Sequence, residues 1–280
     1  MKNKNKLFII LMLLPSLIIT IGFVVLPIIN SLIRSFKDPN SGAFSLINYT
    51  SIFNDPIMVA NIFYTIKIAL IIVLLSILVS YPFAIYVRFN SSKISKKLYN
   101  LILIPRFIPG MVAVYSIIQF INDSGLINRI GQIFGYNWQL GYMYNQKGII
   151  YTGLWFNIPF ATLIIAATLS SINKSSLESA RDIGASKLSI FINIILPLSY
   201  KDVLVAATFI FISNVGAFTT PYLLGENNPR MLGVVLNDIF SVYRRYESAA
   251  ALSVVMFLIC VLAAFVYVIV NLKEKPWEKK

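Results

Sequence analysis

The stretch LESARDIGASKLSIFINIILPLS, residues 177–199, is a polar interruption in a strongly apolar chain. Only 12% of the 280 residues are charged, yet four charged residues fall within the ten positions that follow Leu177. Gly184 and Pro197 punctuate the stretch, and both residue types commonly end helices. The pattern therefore predicts short polar helices here rather than a membrane span.

The composition around this stretch is that of an integral membrane protein. Hydrophobic residues make up 58% of the chain, more than soluble domains carry. They come in blocks long enough to cross the hydrocarbon core as helices, which takes about 20 residues. We therefore expect an all-α membrane fold forming one transmembrane domain over residues 1–280. Six blocks are predicted to span the membrane: 7–33, 59–87, 98–121, 148–171, 202–224 and 248–271.

The first block needs a choice between a signal peptide and a span. Lysines at positions 2, 4 and 6 precede it, as they would precede either. The apolar run continues to Ile33, which is too long for the apolar region of a signal peptide, and no A-x-A cleavage site follows. We interpret it as a transmembrane helix.

The distribution of Lys and Arg predicts the orientation of the spans. Fifteen basic residues lie in the two tails and in the loops 88–97 and 172–201, against seven in the other three connections. Cytoplasmic loops carry the excess of Lys and Arg. Both termini and the stretch 177–199 are therefore expected in the cytoplasm.

Several classes of function are disfavoured. The net charge of +13 is spread over loops and tails, so it does not indicate a nucleic-acid surface. With no histidine and only Cys260, neither a metal site nor a catalytic constellation is expected. No G-x-x-x-x-G-K-[ST] phosphate loop occurs, so ATP would have to be bound by another polypeptide.

Local signals predict how the polar stretch folds. Ser175 and Glu178 have the spacing of a capping box, which would start a short helix ending at Gly184. Ser186 is expected to cap a second short helix, which Pro197 would end before the fifth span. An interfacial amphipathic helix without a partner is the alternative.

The same stretch resembles the cytoplasmic signature of permease subunits of binding-protein-dependent ABC importers. That signature reads E-A-A, three residues, G, nine residues, I-x-L-P. This chain has ESA at 178–180, then Gly184, then IILP at 194–197, with every spacing kept. Its one departure is Ser179, a small residue in place of alanine. The stretch also precedes the second-to-last span, as it does in the family.

The resemblance implies a type I ABC importer permease fold in a bacterial cell membrane, with a cytoplasmic coupling helix in segment 175–197 between spans 4 and 5. It implies two ATPase subunits that bind ATP and Mg, a second permease subunit (identical or related), and an extracellular solute-binding protein. This chain would bind no cofactor itself. The residues expected to couple to the ATPase are Glu178, Ser179, Ala180, Arg181, Asp182, Gly184, Ile194, Leu196 and Pro197.

Polar residues within the spans are candidates for the translocation pathway. They are Asn157, Ser213, Asn214, Thr219 and Thr220. Hydrogen bonding between helices is the alternative role for each. Lys67 and Arg106 are expected to anchor span ends at the membrane surface, with a pathway charge as the alternative role for Lys67. Pro105 and Pro109 predict a broken helix end beside Arg106, which in transporters can line a cavity.

The segments GAFTTPYLLG (216–225) and RMLGVVL (230–236) look like the spermidine/putrescine permease branch, which makes these polyamines the expected substrate. Relatives of that branch handling ferric iron, thiamine or aminoethylphosphonate are the alternatives, because IPRFIPGMVAVYSI (104–117) departs from the polyamine permeases. An ion-coupled secondary transporter is a further alternative. The middle parts of the spans hold no Asp or Glu, which disfavours it.

Overall fold

The computed structural model describes residues 12–90 and 92–272, which are almost entirely helical. Within these residues, six helical segments are long and apolar enough to cross a membrane, which confirms the predicted all-α, six-span fold. These segments are Met12–Ser35, Pro56–Phe89, Gly110–Ile133, Gln146–Ser171, Lys187–Val215 and Tyr246–Val270. Residues 7–11 of the predicted first span lie outside the described residues.

We number the helices in chain order. They are α1 (Met12–Ser35), α2 (Ile47–Asn54), α3 (Pro56–Phe89), α4 (Lys93–Leu103), α5 (Gly110–Ile121), α6 (Leu126–Ile133), α7 (Gln146–Ser171), α8 (Lys174–Asp182), α9 (Lys187–Val215), α10 (Thr219–Leu224), α11 (Leu232–Asn237) and α12 (Tyr246–Leu272). Wide π turns occur at Ile21–Val25 in α1, at Phe191–Ile195 in α9 and at Asp238–Val242 after α11.

One compact unit comprises residues 12–59 and 236–258. Inside it, Nε of Arg34 donates a hydrogen bond to Oε1 of Glu247 at 3.0 Å. The same guanidinium lies over the ring of Tyr246, 5.1 Å from its centroid. Arg34 thus joins the end of α1 to the start of α12.

The second compact unit comprises residues 60–235 and 259–272 and contains the helices that build the candidate site. Helix α7 packs along α9, and α10 packs against α5 and α7. Gly153 allows close packing, because a Cβ there would lie 2.6 Å from Cδ1 of Ile72. Fully buried apolar side chains of this unit include Ile68, Ile72, Val114, Ile121, Ile165, Leu169, Ile210, Val215, Leu224 and Leu232.

Side chains of α3 hold the non-helical segment that leads into α11. Oδ1 of Asn61 accepts a hydrogen bond from the amide of Arg230 at 2.7 Å. One helical turn further on, Oγ1 of Thr65 accepts from the amide of Leu232 at 2.9 Å. Backbone that leaves regular structure inside a membrane protein needs such partners, since unsatisfied amides are costly there.

The predicted third span, 98–121, is not one helix. The structure has a 3-10 turn at Ile104–Phe107, which separates α4 from α5. Pro105 and Pro109 have no amide hydrogen and disfavour a continuous α-helix here. The apolar segment of spanning length in this region is Gly110–Ile133 instead, which comprises α5, a turn at residues 122–125 and α6.

The predicted fifth span, 202–224, was wrong at both ends. Helix α9 begins at Lys187 and continues through Pro197, so the second short helix and the fifth span are one element. The π turn Phe191–Ile195 ends two residues before Pro197 and accommodates a residue that a regular α-helix disfavours. At the other end, α9 stops before Gly216, and α10 follows as a separate helix.

Candidate functional site

The start of helix α8 differs from the predicted capping box. Asn173 is the N-cap, and its side chain accepts a hydrogen bond from the amide of Ser175 at 3.2 Å. Asparagine caps helices as well as serine does. The helix therefore begins two residues earlier than the Ser175–Glu178 spacing indicated.

Helix α8 ends at a left-handed glycine, as predicted. Gly184 has φ +87° and donates from its amide to the carbonyl of Arg181 at 2.8 Å. The next amide, of Ala185, reaches back to the carbonyl of Ala180 at 3.0 Å. These two bonds form a Schellman motif, which closes the helix and reverses the chain.

Ser186 caps α9 as predicted, with Oγ accepting from the amide of Ser189 at 3.2 Å. The turn between α8 and α9 also presents apolar side chains that the sequence analysis did not select. Ile183 is 87% exposed and Leu188 is 66% exposed. Exposed apolar residues beside a polar helix indicate an interaction surface. The position of Ile183 inside the signature could have identified it as a docking residue.

The candidate coupling residues fall into two groups. Those on α8 and its end are exposed, except for half-buried Ala180: Glu178, Ser179, Ala180, Arg181, Asp182 and Gly184. Those on α9 follow the second half of the signature: Ile194, Leu196 and Pro197.

A polar cavity of about 230 Å³ lies within the second unit. The 3-10 turn, α7, α9, the following turn and α10 form its wall. Its lining residues are Arg106, Ile149, Gly153, Phe156, Asn157, Ser213, Asn214, Ala217, Thr220 and Pro221. Four of the five candidate pathway residues thus meet at one cavity, although Thr219 is not part of its wall.

Two amide side chains give the cavity wall a defined polarity. Nδ2 of Asn157 donates to the carbonyl of Gly153, and Nδ2 of Asn214 donates to that of Ile210, each at 2.7 Å. Each amide nitrogen thereby places one of its two hydrogens on its own helix. Neither Oδ1 atom has a hydrogen-bond partner within residues 12–90 and 92–272.

Arg106 lies at the cavity wall, whereas the sequence suggested a surface anchor. Its guanidinium is 5.2 Å from the ring centroid of Phe160. Phe160 is close to the middle of α7, a 26-residue helix of about 39 Å, so Arg106 sits far from either end of that span. The prolines beside Arg106 were the signal, because they break the helix and bring the side chain to the wall.

The described part of the chain contains no group of three or more His, Cys, Asp or Glu residues that could hold a metal ion.

The fold and this site define a multi-pass helical membrane protein with a polar cavity among its spans. Residues 76–275 match the family described as "Binding-protein-dependent transport system inner membrane component". The chain belongs to that family. It is a permease subunit of an ABC importer in the cytoplasmic membrane, and not the ATP-hydrolysing subunit.

Relatives with curated names include permease proteins of different transport systems. The chain is 26% identical over 225 residues to the spermidine/putrescine transport system permease protein PotB of Escherichia coli K12, covering 80% of this chain and 82% of PotB. It is 29% identical over 283 residues to the sn-glycerol-3-phosphate transport system permease protein UgpA of Escherichia coli O157:H7, covering 95% and 94%.

Solved structures show the same fold. A bacterial ABC transporter that imports the acidic polysaccharide alginate matches with a TM-score of 0.76 at 20% identity, covering 94% of this chain and 96% of that one. The MetNI methionine ABC transporter, in an inward-facing conformation, matches with a TM-score of 0.59 at 17% identity, covering 76% and 93%.

Proposed function

We propose that this chain forms half of the translocation pathway of an ATP-driven importer for a small solute. Its partners are a second permease subunit, two ATPase subunits that bind ATP and Mg, and an extracellular solute-binding protein. Both termini and segment 175–197 face the cytoplasm. The observation that carries the proposal is the exposed α8–Gly184–α9 turn, which presents Ile183 in a chain of this family.

The turn is suited to docking on an ATPase subunit. Arg181 and Asp182 supply exposed charges, while Ile183 supplies an apolar side chain whose burial would favour association. The Schellman motif fixes the angle at which these side chains are presented. Helix α9 then continues from this turn to the cavity residues Ser213 and Asn214.

The test is solute uptake by the reconstituted importer. Uptake should require ATP, the binding protein, the second permease subunit and the ATPase subunits. Gly184→Trp should abolish uptake and weaken ATPase association, because it adds a bulky side chain to the docking turn at a left-handed backbone position. Gly135→Trp is a matched control, since Gly135 also has a positive φ and open space around it but lies outside segment 175–197.

Two results would contradict the proposal. One is uptake by this chain alone, driven by an ion gradient. The other is equal loss of ATPase association in both glycine variants.

Spermidine or putrescine is the substrate that the relatives' names support best, through PotB. Ferric iron, thiamine and aminoethylphosphonate are the other candidates. A second class, solutes with an anionic group, is favoured by a specific observation, the position of Arg106 at the cavity wall. The UgpA likeness agrees with that class. Uptake assays with spermidine and with 2-aminoethylphosphonate separate the two.

A further inference from the structure

We propose that the cavity selects a small solute carrying a compact anionic group, such as a phosphonate or phosphate, together with an ammonium or hydroxyl group. Arg106 would contact the anionic group, and the amide oxygens of Asn157 and Asn214 would accept from the other. This inference rests on the proposed transport function and names the substrate class of that site.

The charge of the cavity wall favours an anionic ligand. Arg106 is the one charged residue among those that line the cavity. Its guanidinium has no ion-pair partner within residues 12–90 and 92–272. Placing an ionisable side chain far from the ends of a span costs free energy, and such residues usually mark substrate or ion pathways. A guanidinium in this position repels polyamines and attracts anions.

The chemistry of the guanidinium narrows the class of anion. Its planar fork of N–H donors matches phosphate, phosphonate and carboxylate groups, with two parallel hydrogen bonds. The Arg106 guanidinium makes no hydrogen bond within residues 12–90 and 92–272, so its N–H donors are available to a ligand.

Two asparagine side chains form the complementary half of the wall. Asn157 and Asn214 are only 8% and 7% exposed, and each amide nitrogen donates one of its two hydrogens to its own helix. Their unpaired oxygens can therefore accept hydrogen bonds from a ligand. Thr220 adds a hydroxyl to the same wall. An ammonium or hydroxyl group on the solute supplies those donors, whereas a bare inorganic anion does not.

The cavity volume fits a solute of this size. About 230 Å³ is room for several water molecules, each of which takes roughly 30 Å³ in the liquid. A compact zwitterion or a three-carbon phosphate ester therefore has room in the cavity.

The experiment measures equilibrium binding of radiolabelled 2-aminoethylphosphonate, sn-glycerol 3-phosphate and spermidine to the assembled importer in nanodiscs. The two anionic probes should bind, and Arg106→Gln should weaken both by roughly ten- to a hundredfold, the worth of a charge-assisted pair. Arg106→Lys should recover part of the affinity, since it keeps the charge but not the fork. Lys67→Gln, a cation outside the cavity wall, should change neither.

Asn157→Asp supplies an independent arm that keeps the side-chain shape. The added carboxylate should weaken binding of sn-glycerol 3-phosphate and strengthen binding of spermidine, because it neutralises the field of Arg106. Binding of 2-aminoethylphosphonate should weaken less, because its ammonium gains a charged partner at residue 157. Normal assembly of each variant with the ATPase subunits verifies that it has folded. Equal effects of Arg106→Gln on the two anionic probes assign recognition to the anionic group.

The inference is overturned if neither anionic probe binds at millimolar concentration, or if Arg106→Gln binds them as wild type does. It is also overturned if spermidine binds more tightly than both anions. Each of these results leaves the transport proposal standing as long as uptake of some solute still requires ATP, the binding protein and an intact Gly184.

Discussion

The backbone conformation at position 184 explains why the residue there is glycine. A Cβ built there meets nothing within 4 Å, yet φ is +87°, where residues other than glycine are strained. We expect Gly184→Ala to destabilise the turn by about 1 kcal/mol and Gly184→Asn by less, since Asn tolerates this region. Thermal unfolding of the purified complex measures both. Equal stability of the alanine variant and wild type would contradict the assignment.

Thr65 illustrates a buried hydroxyl with a defined task. Thr65→Val keeps the shape of the side chain but leaves the amide of Leu232 without its acceptor, at a cost of about 1–3 kcal/mol. The control is Thr168→Val, because Oγ1 of Thr168 bonds only the carbonyl of Ile164 in its own helix. The midpoint of thermal unfolding in detergent should fall clearly in the first variant and little in the second.

At the scale of elements, the helix caps distinguish the structure from the sequence prediction. Asn173→Ala and Ser186→Ala should each destabilise the helix that follows by about 1 kcal/mol. Ser175→Ala should have little effect, because its side chain is not the cap. Hydrogen exchange of residues 174–190 measures all three. A loss of protection confined to Ser175→Ala would instead identify Ser175 as the N-cap of α8, as the capping box predicts.

The sequence predicted the existence of six spans and the glycine turn, because apolar length and residue spacing determine them locally. It misplaced the ends of the third and fifth spans. Proline allows two outcomes: at Pro105 and Pro109 the helix breaks, whereas at Pro197 a π turn lets it continue. Tertiary packing determines which outcome occurs, and the local sequence around a proline does not indicate it. For the same reason four residues of the cavity wall could be selected, whereas for Arg106 the prolines left a surface anchor and a cavity wall both open.

For the whole molecule, the predicted topology can be read by chemical labelling. In a Cys260→Ala background, Ile183→Cys should react with a membrane-impermeant maleimide only in inside-out vesicles. Tyr136→Cys, at another exposed position, should react only in right-side-out vesicles. Labelling of both from the same side would contradict the orientation given by the basic residues.

The continuity of α9 has a mechanical consequence. Under the proposed coupling, a displacement at Ser186 would reach Asn214 through this 29-residue helix of about 43 Å as tilt or torsion, less the part that the π turn Phe191–Ile195 absorbs by deforming. The deformability of that π turn therefore determines how much of a displacement at the docking end of α9 changes the shape of the cavity at its other end.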